Sequence, residues 1–273
     1  MLTDNISIRA NELNFIRFLV LNSRYPSHYV SVRLTSGAQV RYCVRIMLRK
    51  PQRRVLVIDV GGNHVKTRVS GRREMRQFES GSTMTPRQMV SGVMKLVGDL
   101  RYDAVSIGYP GVVVHGKIII EPWNLGRGWV GFDFRKAFGR PTLVMNDAAM
   151  QAIGSYEGGR MLFLGLGTGL GSALIVDGTV APMELGHLPC KRGRSYEDYV
   201  GERGRRRYGA KKWRREVADM IEQLSNALEA DYVVIGGGNA RKLKKLPKNA
   251  RLGNNDFAFL GGFRIWRPGG PRI

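Results

Sequence analysis

The chain has 273 residues, and its 44 lysines and arginines against 22 aspartates and glutamates give a formal net charge of +22. A hydrophobic fraction of 43% is enough for a folded core, which excludes a wholly disordered protein. Two cysteines, Cys43 and Cys190, are too few for a disulfide framework or a four-cysteine zinc site. No apolar run approaches the roughly 18 residues that a membrane helix needs, so we expect a cytoplasmic protein without membrane association.

The first 50 residues differ from the rest of the chain. They carry scattered arginines and only two acids, Asp4 and Glu12. Residues 13–21 predict a short helix, and residues 29–48 contain alternating, strand-like stretches. We expect residues 1–50 to be an N-terminal extension of uncertain structure that is accessory to the rest.

Strands and helices alternate from residue 54 onward. This alternation, with hairpins among it, favours an α/β fold with mixed sheets. Strands are predicted over 55–59, 64–70, 104–109, 112–120, 141–145, 161–164, 172–176 and 231–235, and helices over 85–100, 146–156 and 212–228.

One pattern occurs twice. A strand, a glycine turn and a returning strand lie around residues 59–62 and again around 165–171, and 165 − 59 gives an offset of 106 residues. Two similar halves that face each other across a cleft are the natural architecture, with lobes at 51–145 and 146–273.

The first glycine turn follows an acid at a strand end. Glycines let backbone N–H groups converge on an anion, and a carboxylate at that place suits a hydrated Mg²⁺ ion. Taken alone, the segment is more typical of an ordinary hairpin turn. Its candidate residues are Asp59, Gly61, Gly62, Asn63 and Lys66.

The second turn carries four glycines within residues 165–171, and Thr168 adds a hydroxyl donor. It is not a dinucleotide-binding fingerprint, because the spacing differs and a strand follows it. It is not a Walker A loop either, because no Gly-Lys-Ser/Thr follows. It predicts a second phosphate-binding hairpin through Gly167, Thr168 and Gly169, although a flexible glycine turn explains it too.

Two further groups carry polar side chains. Asn146 and Asp147 stand where a strand ends and a helix begins, so either could be a simple N-cap, or Asp147 could be a base for an attacking hydroxyl. Glu184, His187 and Glu197 could bind several sugar hydroxyls, although each alone is typical of a surface.

These motifs together resemble the ROK family within the actin/hexokinase-like superfamily, and more closely its polyphosphate glucokinase branch. They follow the family order over about residues 54–262. The segments that carry the resemblance are Ile58–Gly62, Tyr109–Val113, Asn124–Trp129, Asn146–Ala148, Leu166–Leu174, Glu184–His187 and Val234–Gly238.

The resemblance implies two ribonuclease-H-like lobes with mixed sheets around a central cleft. It implies transfer of a terminal phosphoryl group from polyphosphate, or ATP, to the 6-hydroxyl of glucose, with Asp147 as base and Mg²⁺ as cofactor at Asp59. The sugar would be ringed by Asn124, Asn146, Glu184, His187 and Glu197. The phosphates would be handled by the residues of both glycine turns, with Gly236 and Gly237 beside a nucleotide.

Some features depart from the family pattern. The element after His187 offers only Cys190 where many relatives carry a cysteine-rich zinc motif, so no zinc site is expected. Asn63 stands where serine or threonine is commoner, and its amide is expected to replace the hydroxyl.

The net positive charge is compatible with several kinds of binding partner. It attracts polyanions, and residues 203–215 and 241–248 concentrate it, although a solvated helix face explains such clusters equally well. An ATP-only hexose or amino-sugar kinase and a non-catalytic, DNA-binding ROK regulator are the alternatives. Nucleic acid is the less expected partner, because a regulator has no need of Asp147. The resemblance leaves a homodimer open.

Overall fold

The chain divides into two compact units, Met1–Gln52 and Arg53–Ile273. The structure is a computed structural model, and it describes residues 28–33, 39–44, 53–254 and 256–273. In the first unit the described residues form one antiparallel hairpin of β1 (His28–Arg33) and β2 (Gln39–Val44). Both strands overlap the strand-like stretch predicted over 29–48, and the helix predicted over 13–21 lies outside the described residues.

The second unit begins with one half built around a five-stranded sheet. The central strand of this sheet, Val55–Val60, is apolar up to Asp59, and its side chains are buried on both faces of the sheet, as expected for an interior strand. The elements are β3 (Val55–Val60), β4 (His64–Val69), β5 (Arg76–Glu79), α1 (Pro86–Leu96), β6 (Ala104–Tyr109), β7 (Val113–Val114), β8 (Lys117–Ile118), α2 (Phe134–Phe138) and β9 (Thr142–Asn146).

The other half of this unit also contains five strands. Short 3₁₀ helices lie at Leu185–His187 and Ala240–Lys242. The remaining elements are α3 (Asp147–Ser155), β10 (Arg160–Leu166), β11 (Leu170–Val176), β12 (Thr179–Met183), α4 (Tyr196–Val200), α5 (Glu202–Ala227), β13 (Tyr232–Gly236), β14 (Ala250–Leu252) and α6 (Phe257–Arg264).

The two sheets have the same topology. The first has the order β5-β4-β3-β6-β9 and the second the order β12-β11-β10-β13-β14. In each, three antiparallel strands are followed by two strands that add in parallel to the first. This shared order confirms the internal repeat and the mixed sheets expected from the sequence.

Helices α3 and α6 pack against each other and contact strands of both sheets. Two glycines permit this close packing, because a Cβ on Gly154 would overlap the carbonyl of Phe257 and one on Gly261 would overlap the carbonyl of Met150. Helix α6, which lies in the predicted 146–273 lobe, packs on β3 and β6 of the first sheet. The helix layer therefore fixes the start of α3, where Asp147 lies.

Several elements begin or end elsewhere than expected. Gly209, with φ of 74°, breaks α5 into two parts; the helix predicted over 212–228 corresponds to the second part, and the part that begins at Glu202 was not predicted. The long alternating stretch over 112–120 forms only the short β7–β8 hairpin. Strands β5, β12 and β14 and helices α2, α4 and α6 were not predicted. No helix among the described residues is long and apolar enough to span a membrane.

Candidate active site

A cleft of about 830 Å³ lies within the Arg53–Ile273 unit and draws its walls from both sheets. Most of the residues proposed from the sequence line it, so the structure brings the separate motifs together. The lining includes Gly61, Gly62, Asn124, Asn146, Asp147, Gly167, Thr168, Gly169, Glu184, His187, Glu197 and Gly237.

Four proposed residues lie beside the cleft and not in its lining. Asp59 and Lys66 are direct partners in the β3–β4 pairing. Asn63 is exposed in the turn between these strands, and Gly236 is buried at the end of β13. The roles proposed for these four residues, like those of the residues in the lining, stay predictions.

Asp147 is the first residue of α3, and Asn146 fixes that position. The Oδ1 atom of Asn146 accepts the N–H of Ala149 at 3.1 Å as the N-cap, and its Nδ2 donates to the carbonyl of Gly111 at 3.1 Å. Asn146 thus ties the end of β9 to the loop after β6. Both polar atoms of its side chain already have protein partners, so positioning Asp147 is its visible task.

Asp59 and Asp147 come together because three parallel strands end in register. Asp59 pairs with Gly108, and Gly108 pairs with Met145, two residues before Asp147. A Cβ on Gly108 would lie 3.5 Å from the Cα of Asp147 and against the end of Met150. The absence of a side chain at Gly108 therefore lets α3 begin close to the sheet.

Burial raises the pKa of Asp147 to about 7, and the charges of Asp59 and Glu184 act in the same direction. Burial also raises the pKa of Asp59, and Lys66 lowers it in part. A carboxylate exchanges protons most efficiently when its pKa is near the working pH, and the pKa of Asp147 lies close to neutral pH.

The second glycine turn is anchored through its carbonyl groups. The N–H of Glu202 reaches the carbonyls of Gly167 and Thr168 at 3.2 and 3.1 Å, and Asn239 donates to the Gly167 carbonyl at 3.0 Å. Among the described residues, the N–H groups of Thr168 and Gly169 meet no acceptor. Free N–H groups on a fixed turn are typical of an anion-binding site.

The first glycine turn is held in the same way. The hydroxyl of Ser80 donates to the carbonyl of Gly61 at 2.7 Å, and the N–H of Ser80 donates to the carbonyl of Asn63 at 2.9 Å. A Cβ on Gly62 would lie only 3.1 Å from that of Asn124, so this turn abuts a residue proposed to bind sugar.

A polar wall of the cleft is formed by Asn124, Glu184, His187 and Glu197. The Oε2 atom of Glu197 accepts the N–H of Leu170 at 3.2 Å and covers Gly169, where any Cβ would collide with the carboxylate. Desolvation raises the pKa of Glu184, with His187 lowering it and Glu197 raising it.

Four lining residues with polar or aromatic side chains were missing from the site proposed from the sequence. They are Glu121, Trp123, Gln151 and Arg203. Arg203 lies in the basic cluster recognised there, but the cluster alone does not show which of its members reaches the cleft. Glu121 and Trp123 lie three residues and one residue before Asn124, and nothing in their residue type indicates a cleft. Gln151 lies one helical turn after Asp147, which is the spacing that could have revealed it.

The chain resembles characterised proteins over most of its length. Residues 55–198 match the model of the ROK family. A polyphosphate glucokinase of Mycobacterium tuberculosis is 27% identical over 216 residues, which cover 71% of this chain and 81% of that protein.

Solved structures share the fold. A polyphosphate/ATP-glucomannokinase from Arthrobacter sp. strain KM superposes with a TM-score of 0.68 at 23% identity, covering 78% of this chain and 98% of that one. A ROK glucokinase from Streptomyces griseus, solved with glucose and AMPPNP, gives 0.63 at 14% identity, with 78% and 98% covered. These likenesses confirm the actin/hexokinase-type architecture expected from the sequence. Because the matched residues 55–198 span more than half of the 273 residues, the chain belongs to the ROK family.

Proposed function

We propose that the protein transfers the terminal phosphoryl group of inorganic polyphosphate, and in addition that of ATP, to the 6-hydroxyl of glucose. The observation that carries the proposal is the position of Asp147, a carboxylate with a pKa of about 7 in a cleft that two glycine turns also line. The names of the relatives support the sugar kinase class, and the donor and the base are our assignment.

In the proposed reaction the 6-hydroxyl oxygen of glucose attacks the terminal phosphorus of the donor. The new O–P bond forms while the bridging P–O bond of the donor breaks, and the hydroxyl proton passes to the carboxylate of Asp147. The products are glucose 6-phosphate and a donor shorter by one phosphate. Because phosphoryl transfer has a loose transition state, the main task of Asp147 is to orient the hydroxyl and accept its proton late.

Sugar recognition is assigned to the polar wall. Asn124, Glu184, His187 and Glu197 line the cleft with the donors and acceptors that several hydroxyls require. A site built to pair with hydroxyls discriminates strongly against a sugar that lacks one, since its own polar groups then stay unpaired.

Mg²⁺ fits the carboxylates present. Asp59 and Asp147 form a pair of like charges that Lys66 offsets only in part. Among the described residues no three His, Cys, Asp or Glu side chains converge as metal ligands, which suits an ion that keeps waters and takes phosphate oxygens beside a single carboxylate. Asp59 would hold the ion, which when bound neutralises charge on the donor phosphates.

The basic cluster supports a polyphosphate donor. Arg203 lines the cleft and has no ion pair among the described residues. Arg205 and Arg206 pair with Glu202 at 2.7 and 3.0 Å, and Lys242 approaches the same carboxylate at 3.8 Å. Three cations on one carboxylate leave a positive excess next to Arg203, so a chain of phosphates that leaves the cleft would follow it.

The test is formation of glucose 6-phosphate by the purified full chain, with Mg²⁺, glucose and either polyphosphate or ATP, followed by a coupled dehydrogenase. Turnover with polyphosphate supports the proposal. Turnover with ATP alone would show the ATP-only kinase instead. Absence of turnover with glucose and either donor would refute the proposal, and DNA binding in the same preparation would favour the regulator.

A further inference from the structure

The four tryptophans of the chain differ sharply in exposure. Trp123 is 91% exposed at the mouth of the cleft, whereas Trp129 and Trp213 are fully buried. Trp266 is partly buried, and its indole N–H donates to the hydroxyl of Ser106 at 2.8 Å. Trp123 is therefore the tryptophan whose ring is free to meet a ligand.

The segment that carries Trp123 is held in place on its N-terminal side. The carboxylate of Glu121 accepts three backbone N–H groups, from Gly128 and Val130 at 3.2 Å and from Trp129 at 3.1 Å. Pro122 is buried beside it. A ring fixed on an anchored segment loses little conformational freedom when a ligand packs against it.

The position of the ring relative to the site is set by the next residue. Asn124 lines the cleft and abuts Gly62 of the first glycine turn. Trp123 therefore lies at the outer edge of the same wall that offers polar groups to the sugar. An apolar surface beside hydrogen-bonding groups matches a pyranose, which presents C–H groups on its faces and hydroxyls on its edges.

We propose that Trp123 is a specificity-determining residue that packs its indole face against the C–H face of the bound hexose. This inference rests on the proposed function, because it takes a hexose as the occupant of the cleft. The face of an aromatic ring carries partial negative charge and attracts C–H edges. A sugar that turns a polar substituent toward the ring would lose water without gaining a partner, so the indole selects against it.

The experiment uses the full chain and measures glucose binding by calorimetry together with acrylamide quenching of tryptophan fluorescence. The variants are Trp123→Phe, Trp123→Ala and, as a control, Val130→Ala, which trims an exposed apolar side chain of the same segment outside the cleft lining. We expect glucose to protect the wild-type fluorescence from quenching and Trp123→Phe to remove that protected component. Trp123→Ala should weaken glucose binding about three- to tenfold, with Trp123→Phe between it and the wild type and Val130→Ala unchanged.

Two results separate the failure of this inference from that of the proposed function. If the wild type binds glucose but the quenching or the Trp123→Ala affinity does not change, the role of Trp123 is wrong and the kinase proposal stands. If the wild type binds no glucose, the proposed substrate is wrong and the inference falls with it.

Discussion

The carboxylate of Asp59 lies close enough to that of Asp147 for its negative charge to raise the pKa of Asp147. The pair is created by the register of β3, β6 and β9 and by the absence of a side chain at Gly108. Asp59 lies near the end of β3 and Asp147 directly follows β9, on the two sides of β6. In the proposed function Asp147 would accept the proton of the hydroxyl, and Asp59 would hold the ion that offsets charge on the donor.

The first prediction concerns the pH profile. Because Asp147 must be ionised to accept a proton and its pKa is about 7, kcat/KM should fall as the pH is lowered through that value. Replacing Asp59 by Asn removes a negative neighbour and lowers the pKa of Asp147. The fall of kcat/KM at acidic pH should therefore occur at a lower pH in Asp59→Asn than in the wild type. A fall at the same pH in both proteins would show that Asp59 does not set the pKa of the base.

The second prediction concerns stability. The pKa of Asp147 in the folded protein, about 7, lies above its ordinary value of 3.8. The folded state therefore binds this proton more tightly than the unfolded state. The free energy of unfolding falls as the pH rises from 3.8 to 7, and the loss is complete above 7. Asn resembles the protonated acid. Asp147→Asn should therefore unfold at a higher temperature than the wild type at pH 8, with a smaller difference at pH 5. Thermal unfolding by circular dichroism measures both, and equal differences at the two pH values would contradict the assignment.

The third prediction uses a matched pair of glycines in the second turn. A Cβ on Gly169 collides with the carboxylate of Glu197, whereas one on Gly167 meets nothing within 4 Å. Gly169→Ala should displace Glu197 and raise the KM for glucose. Gly167→Ala should keep the wild-type unfolding temperature and raise the KM for the phosphoryl donor, because the added methyl occupies the space given to phosphate. If both variants changed the KM for glucose and the KM for the donor by the same factors, the two glycines would not have separate roles in sugar and donor binding.

The fourth prediction concerns the donor. Arg203→Gln should raise the KM for polyphosphate about two- to fivefold, since one exposed charge contact is lost. The effect should shrink at high salt and be smaller for ATP, which carries fewer charges. Arg87→Gln removes the same charge from an exposed position on α1 and should leave both constants unchanged. Equal effects of the two substitutions would mean that only the net charge matters.

The sequence is most informative where local chemistry decides the structure. The apolar run before Asp59 predicts a buried strand, and Asn146 marks a helix start because it supplies the N-cap of α3. The repeat with its offset of 106 residues is visible because both turns need glycines. Together with the family resemblance, these features predict the fold and half of the residues that line the cleft.

The sequence does not predict features that depend on contacts between segments far apart in the chain. The part of α5 before Gly209 begins at Glu202, whose N–H meets the carbonyls of Gly167 and Thr168, and the positive φ of Gly209 breaks the helix there. The exposure of Trp123 depends on the hydrogen bonds of Glu121 to residues 128–130, and the pattern of apolar and polar residues does not predict these contacts. Residue type alone likewise cannot distinguish Arg203, at the cleft, from its neighbours paired with Glu202.

The most direct test of the account is the turnover of Asp147→Asn with glucose and polyphosphate, measured beside glucose binding by calorimetry. Asp177→Asn, the same change in the exposed turn after β11, is the control. We predict that Asp147→Asn lowers kcat by about 10²- to 10⁴-fold while it still binds glucose, and that Asp177→Asn keeps full activity. Near-normal turnover by Asp147→Asn would contradict the assignment of Asp147 as the base.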